Sequence, residues 1–300
     1  MAKKVARKKV AKKPVAKKAA AKKKVAKKSA AAAKAPARTG QPMVLAGAGV
    51  NKNIPKAKNG AAGAWTLAKV MAALKALGSE QTRKTWARHG VTGEMFGVKF
   101  GDMYKIRKQI GIDHELAKQL WDTGNADART LGALIADGNA FTAAELDRWA
   151  ASVECYGLCL TVGDAVARCP YSVGQAAVDR WVGSPREYLS RCGWAALSSM
   201  LRDGIEIPGT KLRSYLRMIE ERQATAPNRA REGMNLALIA IGAYADPVVS
   251  AEAIAAAKRI GPIRVDHGDT ACRDFDPLVE IPKARAHREK MAAKKKAKAG

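Results

Sequence analysis

Apolar residues in the stretch 153–169, VECYGLCLTVGDAVARC, recur every three to four positions, the spacing that lines one stripe of an α-helix. The same period runs from Trp65 to about residue 260. It predicts helices over WTLAKVMAALKAL, DMYKIRKQIG, HELAKQLWDTG, ADARTLGALIAD, TAAELDRWAASV, VGQAAVDRWV, SPREYLSRCGWAALSSML, TKLRSYLRMIEERQ, PNRAREGMNLALIAIG and SAEAIAAAKRIG. Short breaks holding Gly, Pro, Asp or Asn separate them. Thr142 and Glu145 stand at capping-box spacing. Ser184–Pro185 places a cap before a proline at the first helical position. Gly204, Gly242 and Gly261 stand where helix C-termini are expected. Only IRVDHG at 263–268 reads as a short strand.

Helices joined by short connections pack as antiparallel neighbours, and pairs spanning roughly 35 to 45 residues suggest an all-α fold, an α-solenoid of HEAT or armadillo type. A single helical bundle is the alternative. No stretch reaches the roughly 18 apolar residues of a membrane span.

Charge changes the picture at the two ends. The chain of 300 residues carries a net +27. Residues 1–40 hold sixteen Lys and Arg and no acid, and residues 283–300 hold eight basic residues against Glu289, which leaves +4 on the body between them. Such Lys- and Ala-rich stretches cannot bury enough apolar surface to offset their ordering entropy. The expected organisation is a disordered basic tail and linker over 1–60, a folded body over 61–282, and a second disordered basic tail over 283–300. Arms of this kind bind polyanions by releasing counterions. With about eight phosphates engaged, affinity falls roughly 10³- to 10⁵-fold between about 50 and 200 mM salt. No apolar core follows the first charges, so they do not read as a secretory signal. Five cysteines without framework spacing suit a reducing cytosol. The expectation is a cytoplasmic, nucleoid-associated monomer whose partner is double-stranded DNA, with no membrane association.

The segment VTGEMFGVKFGDMYKIRKQIGIDHELAKQLWDTGNADARTLGALIAD resembles the DNA alkylation repair family, the AlkD-like HEAT-repeat DNA glycosylases. SPREYLSRCGWAAL, NRAREGMNLALIAIG and IGPIRVDHGDTACRDFDPLVEIPKA continue the resemblance in order, over roughly residues 80–283. It implies a curved stack of HEAT-like repeats with a cationic concave face for duplex DNA. It also implies removal of alkylated purines, whose oxocarbenium-like transition state a carboxylate and aromatic faces stabilise. The resemblance places Tyr156 where a first Trp is expected, Leu160 at the carboxylate and Leu236 at a second Trp. A missing carboxylate costs on the order of 10²-fold or more in rate.

The candidate catalytic residues are therefore Tyr156 and Asp164. Asp164 lies two turns further along the same helix, about 12 Å away. Arg191 matches a family position that meets the phosphate backbone. Arg229 and Arg231, near a helix start, and Arg107 and Lys108 are the other candidate DNA contacts, with ion pairing inside the protein as the competing role. Cys155, Cys159, Cys169 and Cys192 lack a C-x₂-C pair and read as small buried thiols, not zinc ligands. VDHGDTAC reads as a turn fixed by Asp and Thr side chains. No metal or cofactor is expected. Three functions fit: a DNA-binding repeat protein with weak or absent base excision, an active alkylpurine glycosylase with a rearranged site, or a protein-binding scaffold localised by its tails.

Overall fold

The computed structural model describes residues 65–299. The arm and linker expected over 1–60 lie outside that range. The described residues form α1 (Leu67–Leu77), α2 (Glu80–Arg88), α3 (Phe100–Ile110), α4 (His114–Asp122), α5 (Ala126–Ile135), α6 (Ala143–Ala151), α7 (Tyr156–Val166), α8 (Tyr171–Trp181), α9 (Glu187–Arg202), α10 (Gly209–Arg222), α11 (Asn228–Tyr244), α12 (Pro247–Ile260) and α13 (Pro277–Ala299). No strand occurs among them. The expected strand at 263–268 is instead coil, because its backbone groups pair with side chains. Asn228 bonds both the N–H and the carbonyl of Asp266, and Arg231 bonds the Arg264 carbonyl.

Local signals explain most helix boundaries. Thr142 and Glu145 form the expected reciprocal capping box on α6. Gly204 and Gly261 follow α9 and α12 with φ of +77° and +73°, the left-handed region that costs glycine least. Gly242 differs: it lies inside α11 and makes room for the Ile281 side chain of α13. Ser184 and Pro185 also differ. The Ser184 hydroxyl accepts the Arg186 N–H in a local turn, and α9 begins two residues after the proline. The segment read as a second tail continues α13 through Pro282 to Ala299. Its Ala, Lys, Arg and Met residues are strong helix formers, and Arg285 anchors the helix on the Gly242 carbonyl.

The helices pack in two layers. α5, α7, α9, α11 and α13 touch in that order, and α4, α6, α8, α10 and α12 cover them. Each repeat thus returns the chain to the first layer in the same direction, so the N-terminal ends of α7, α9 and α11 gather at one end. Their C-terminal ends gather at the other. Glycine permits the close approach. A Cβ on Gly163 would stand 2.7 Å from the Ala195 carbonyl carbon, and one on Gly233 would stand 2.9 Å from Arg191 Cδ. Trp121 and Trp149 stack in the core with centroids 4.2 Å apart and planes 3° from parallel.

Candidate nucleic-acid interface

Tyr156 is the first residue of α7 and is 8% exposed. Its hydroxyl lies 2.6 Å from His89 Nδ1, at the end of α2. The Arg229 guanidinium of α11 covers the ring at 4.6 Å, a cation–π distance. The Arg229 backbone N–H donates to Glu187 Oε1 at 2.5 Å, so a carboxylate of α9 caps α11. Glu232, one turn after Arg229, sits between two guanidiniums. Its Oε2 is 3.3 Å from Arg229 Nη1 and 3.6 Å from Arg191 Nε.

Arg191 is 1% exposed, yet its Nε and Nη1 have no hydrogen-bond partner. Gly233 creates the space it occupies. Two guanidiniums meet Glu232 at this buried end of the layer, and Arg191 keeps unmet N–H donors. That combination suits an anion with several oxygens.

Burial, and then the Arg229, Arg88 and His267 charges, lower the His89 pKa below its ordinary value. Burial, followed by Cys272 and Glu232, raises the Tyr156 pKa. The pair is therefore a neutral phenol hydrogen-bonded to a neutral imidazole. A histidine with a depressed native pKa leaves the unfolded state binding more protons, so stability falls as pH drops below about 6.5. Thermal melts between pH 7.5 and 5 should show a steeper acid loss for the wild type than for His89→Gln.

The coil 261–276 straps over the same end. Asn235 bonds the Phe275 carbonyl, and His267 Nε2 lies 3.2 Å from Asp274 Oδ1. Asp266 and Thr270 accept the N–H groups of Gly268 and Cys272, the turn chemistry expected of this segment. Cys155, Cys159, Cys169 and Cys192 are buried free thiols, and Cys272 is exposed. Burial pushes the Cys155 and Cys169 thiols up to about 11.

The other candidates go elsewhere. Asp164 shares a helix with Tyr156 but not its neighbours. Its Oδ1 accepts from Ser199 Oγ at 2.7 Å and Arg202 Nη2 at 2.8 Å, at the C-terminal ends of α7 and α9. Arg202, not Arg168, is its ion-pair partner, while Arg168 reaches the Asp164 carbonyl. Arg107 is buried and donates to the Leu134 carbonyl, and Arg168 donates to those of Ala133 and Ala136. Both arginines cap the C-terminus of α5. Burial brings Arg168 down to about 10. Arg231 bonds the Ala226 and Arg264 carbonyls. Lys108 is exposed on α3.

The model of the family described as "DNA alkylation repair enzyme" matches residues 70–265. The uncharacterized protein Lmo0209 of Listeria monocytogenes is 30% identical over 216 residues, covering 71% of this chain and 94% of the relative. The chain belongs to the DNA alkylation repair enzyme family. The uncharacterized protein Lin0241 of Listeria innocua is 29% identical over the same shares of each chain. A solved structure matches with a TM-score of 0.66 and 28% identity, over 73% of this chain and 93% of its own. It is described as representing a new family of proteins related to the HEAT-like repeat DNA glycosylases, with affinity for branched DNA structures. The fold is accordingly a HEAT-like helical repeat. No described helix is long and apolar enough to cross a membrane.

Leu160 is a half-buried leucine, and Leu236 packs against Ile239 and Ile281 in the core. Neither offers charge or an aromatic face. His89, Glu187 and Glu232 complete the site. Of these, only Glu232 carried a sequence signal, its i,i+3 spacing from Arg229 on a predicted helix.

Proposed function

We propose that this chain binds DNA phosphates through Arg191 and Arg229 at the N-terminal ends of α9 and α11, and that it does not excise alkylated purines. The observation that carries this reading is the position of Arg229. An alkylpurine glycosylase needs an open aromatic face and a free carboxylate for a cationic lesion and the sugar cation it leaves. Here the ring face of Tyr156 already holds a cation at 4.6 Å, and Glu232 is neutralised by two guanidiniums. The alternative of a rearranged glycosylase site needs Asp164, whose carboxylate is taken up by Ser199 and Arg202.

Arg191 supports phosphate binding because its unmade N–H bonds would be completed by an anionic oxygen. The related protein with affinity for branched DNA supports extending the ligand from plain duplex to branched forms. The basic ends add sequence-independent affinity and favour a monomer associated with the nucleoid. Lys108 remains a candidate phosphate contact.

The test is the salt dependence of duplex binding by the full chain. Arg191→Gln and Arg229→Gln should each reduce the slope of log K against log salt by about 1. Circular dichroism serves to verify the fold of each variant. Unchanged slopes in folded variants would leave all DNA affinity to the basic ends and favour the scaffold function.

A further inference from the structure

Beside Tyr156 a narrow half-open cleft, with about 40 Å³ of free space, lies between α2, α3, α5 and the first turn of α7. Its walls are apolar, formed mainly by Trp86, Val91, Phe100, Met103 and Leu158, with Gly157 in its lining. An aromatic row connects this cleft to the cationic end. Phe100 and Trp86 meet edge to face at 5.3 Å, Trp86 and His89 at 6.4 Å, and His89 and Tyr156 at 5.9 Å. Arg229 closes the row over Tyr156. Phe100 is 37% exposed, unusual for a large ring in this chain.

The cleft is held in shape from behind. The Asp127 carboxylate accepts the N–H groups of Phe96, Gly97 and Val98 at 2.6, 2.9 and 3.0 Å, and the Trp86 indole donates to the Val98 carbonyl. The loop leading into Phe100 is thereby fixed before any ligand arrives.

A flat apolar ring fits such walls, and a phosphate fits the buried arginine beyond them. One chemical class carries both a flat ring and a phosphate, a nucleotide of a polynucleotide strand. A base paired inside a duplex cannot present its faces to aromatic side chains, whereas an unpaired base can. We infer that this cleft receives one unpaired nucleobase of a DNA strand whose neighbouring phosphate is held by Arg191 and Arg229. The inference rests on the phosphate-binding role proposed above and narrows its ligand to DNA carrying an unpaired base, as at a bulge, a branch or a single-stranded junction.

The experiment compares the full chain on two duplexes differing by a single unpaired 2-aminopurine. Binding is read by anisotropy, and the stacking of the base by its own fluorescence. Stacking of one base on aromatic side chains corresponds to about 5- to 150-fold in affinity. The wild type should prefer the bulged duplex by a factor in that range and quench the 2-aminopurine. Gly157→Leu fills the cleft without deleting a contact, because a Cβ there meets nothing within 4 Å. It should abolish both the preference and the quenching. Trp86→Ala and Phe100→Ala should do the same by removing the walls.

A wild type that binds both duplexes equally overturns the cleft and leaves the phosphate reading standing. So does a preference that survives in folded Gly157→Leu. A wild type that binds neither duplex overturns the phosphate reading, and the cleft inference with it.

Discussion

Glu232→Gln is expected to destabilise the fold by about 3 to 5 kcal/mol, the range for removing one partner of a buried ion pair. Glu232 is 8% exposed and is the counter-ion of Arg191, at 1%, and of Arg229. Removing its charge leaves two guanidiniums in one low-dielectric end, with the donors of Arg191 still unmet. For a body of this size the loss corresponds to a fall in Tm of roughly 6 to 20 °C. Inorganic phosphate or duplex DNA should recover part of it, because an anion binding only the folded state stabilises it by mass action. A melt within 1 °C of wild type would show that Glu232 is not the counter-ion of these two arginines.

Gly163→Val should cost about 3 kcal/mol by a different mechanism. Gly163 is where α7 meets α9, and its missing side chain faces backbone rather than a movable side chain. A Cβ would approach the Ala195 carbonyl carbon at 2.7 Å and the Ala196 nitrogen at 2.9 Å. Backbone cannot swing aside, so the helices must separate, which overpacks one side and opens the other. α7 carries Tyr156 and α9 carries Arg191, so the same displacement should weaken DNA binding. Gly101→Ala is the control. It lies on the exposed face of α3 with nothing within 4 Å of a Cβ, and it should raise stability by about 0.5 to 1 kcal/mol. Chemical denaturation of the two variants gives both values. A Gly163→Val protein as stable as wild type would mean that α7 and α9 do not approach this closely.

Much of this arrangement was legible in the chain. The 3.6-residue period located the helices from α1 to α12 except α2, whose sequence EQTRKTWAR buries only Thr82 and so shows little apolar stripe. The Lys- and Ala-rich end was read as disorder because composition dominates such a stretch. It instead continues the helix of α13, which Arg285 holds on the Gly242 carbonyl. Tyr156, Arg191 and Arg229 were singled out from separate helices, and the shared direction of α7, α9 and α11 brings them to one end. Asp164 was placed two turns along from Tyr156 on helical spacing alone. Which end of the layer it serves is decided by Ser199 and Arg202 on a helix 35 residues away in sequence, and spacing within α7 holds no trace of that. Arg107 failed as a surface cation for a similar reason. The α5 carbonyl it caps is 27 residues distant. His89 had no sequence signal at all, since a single histidine at a helix end is silent until a phenol meets it.

The most direct measurement is base release from duplex DNA containing 7-methylguanine, followed by chromatography, alongside binding of the same duplex by the full chain. The expected result is saturable, salt-sensitive binding with 7-methylguanine leaving only at its uncatalysed rate, because Arg229 occupies the cation position on Tyr156. Release above that rate, abolished by Tyr156→Ala in a folded protein, would contradict it and establish an alkylpurine glycosylase.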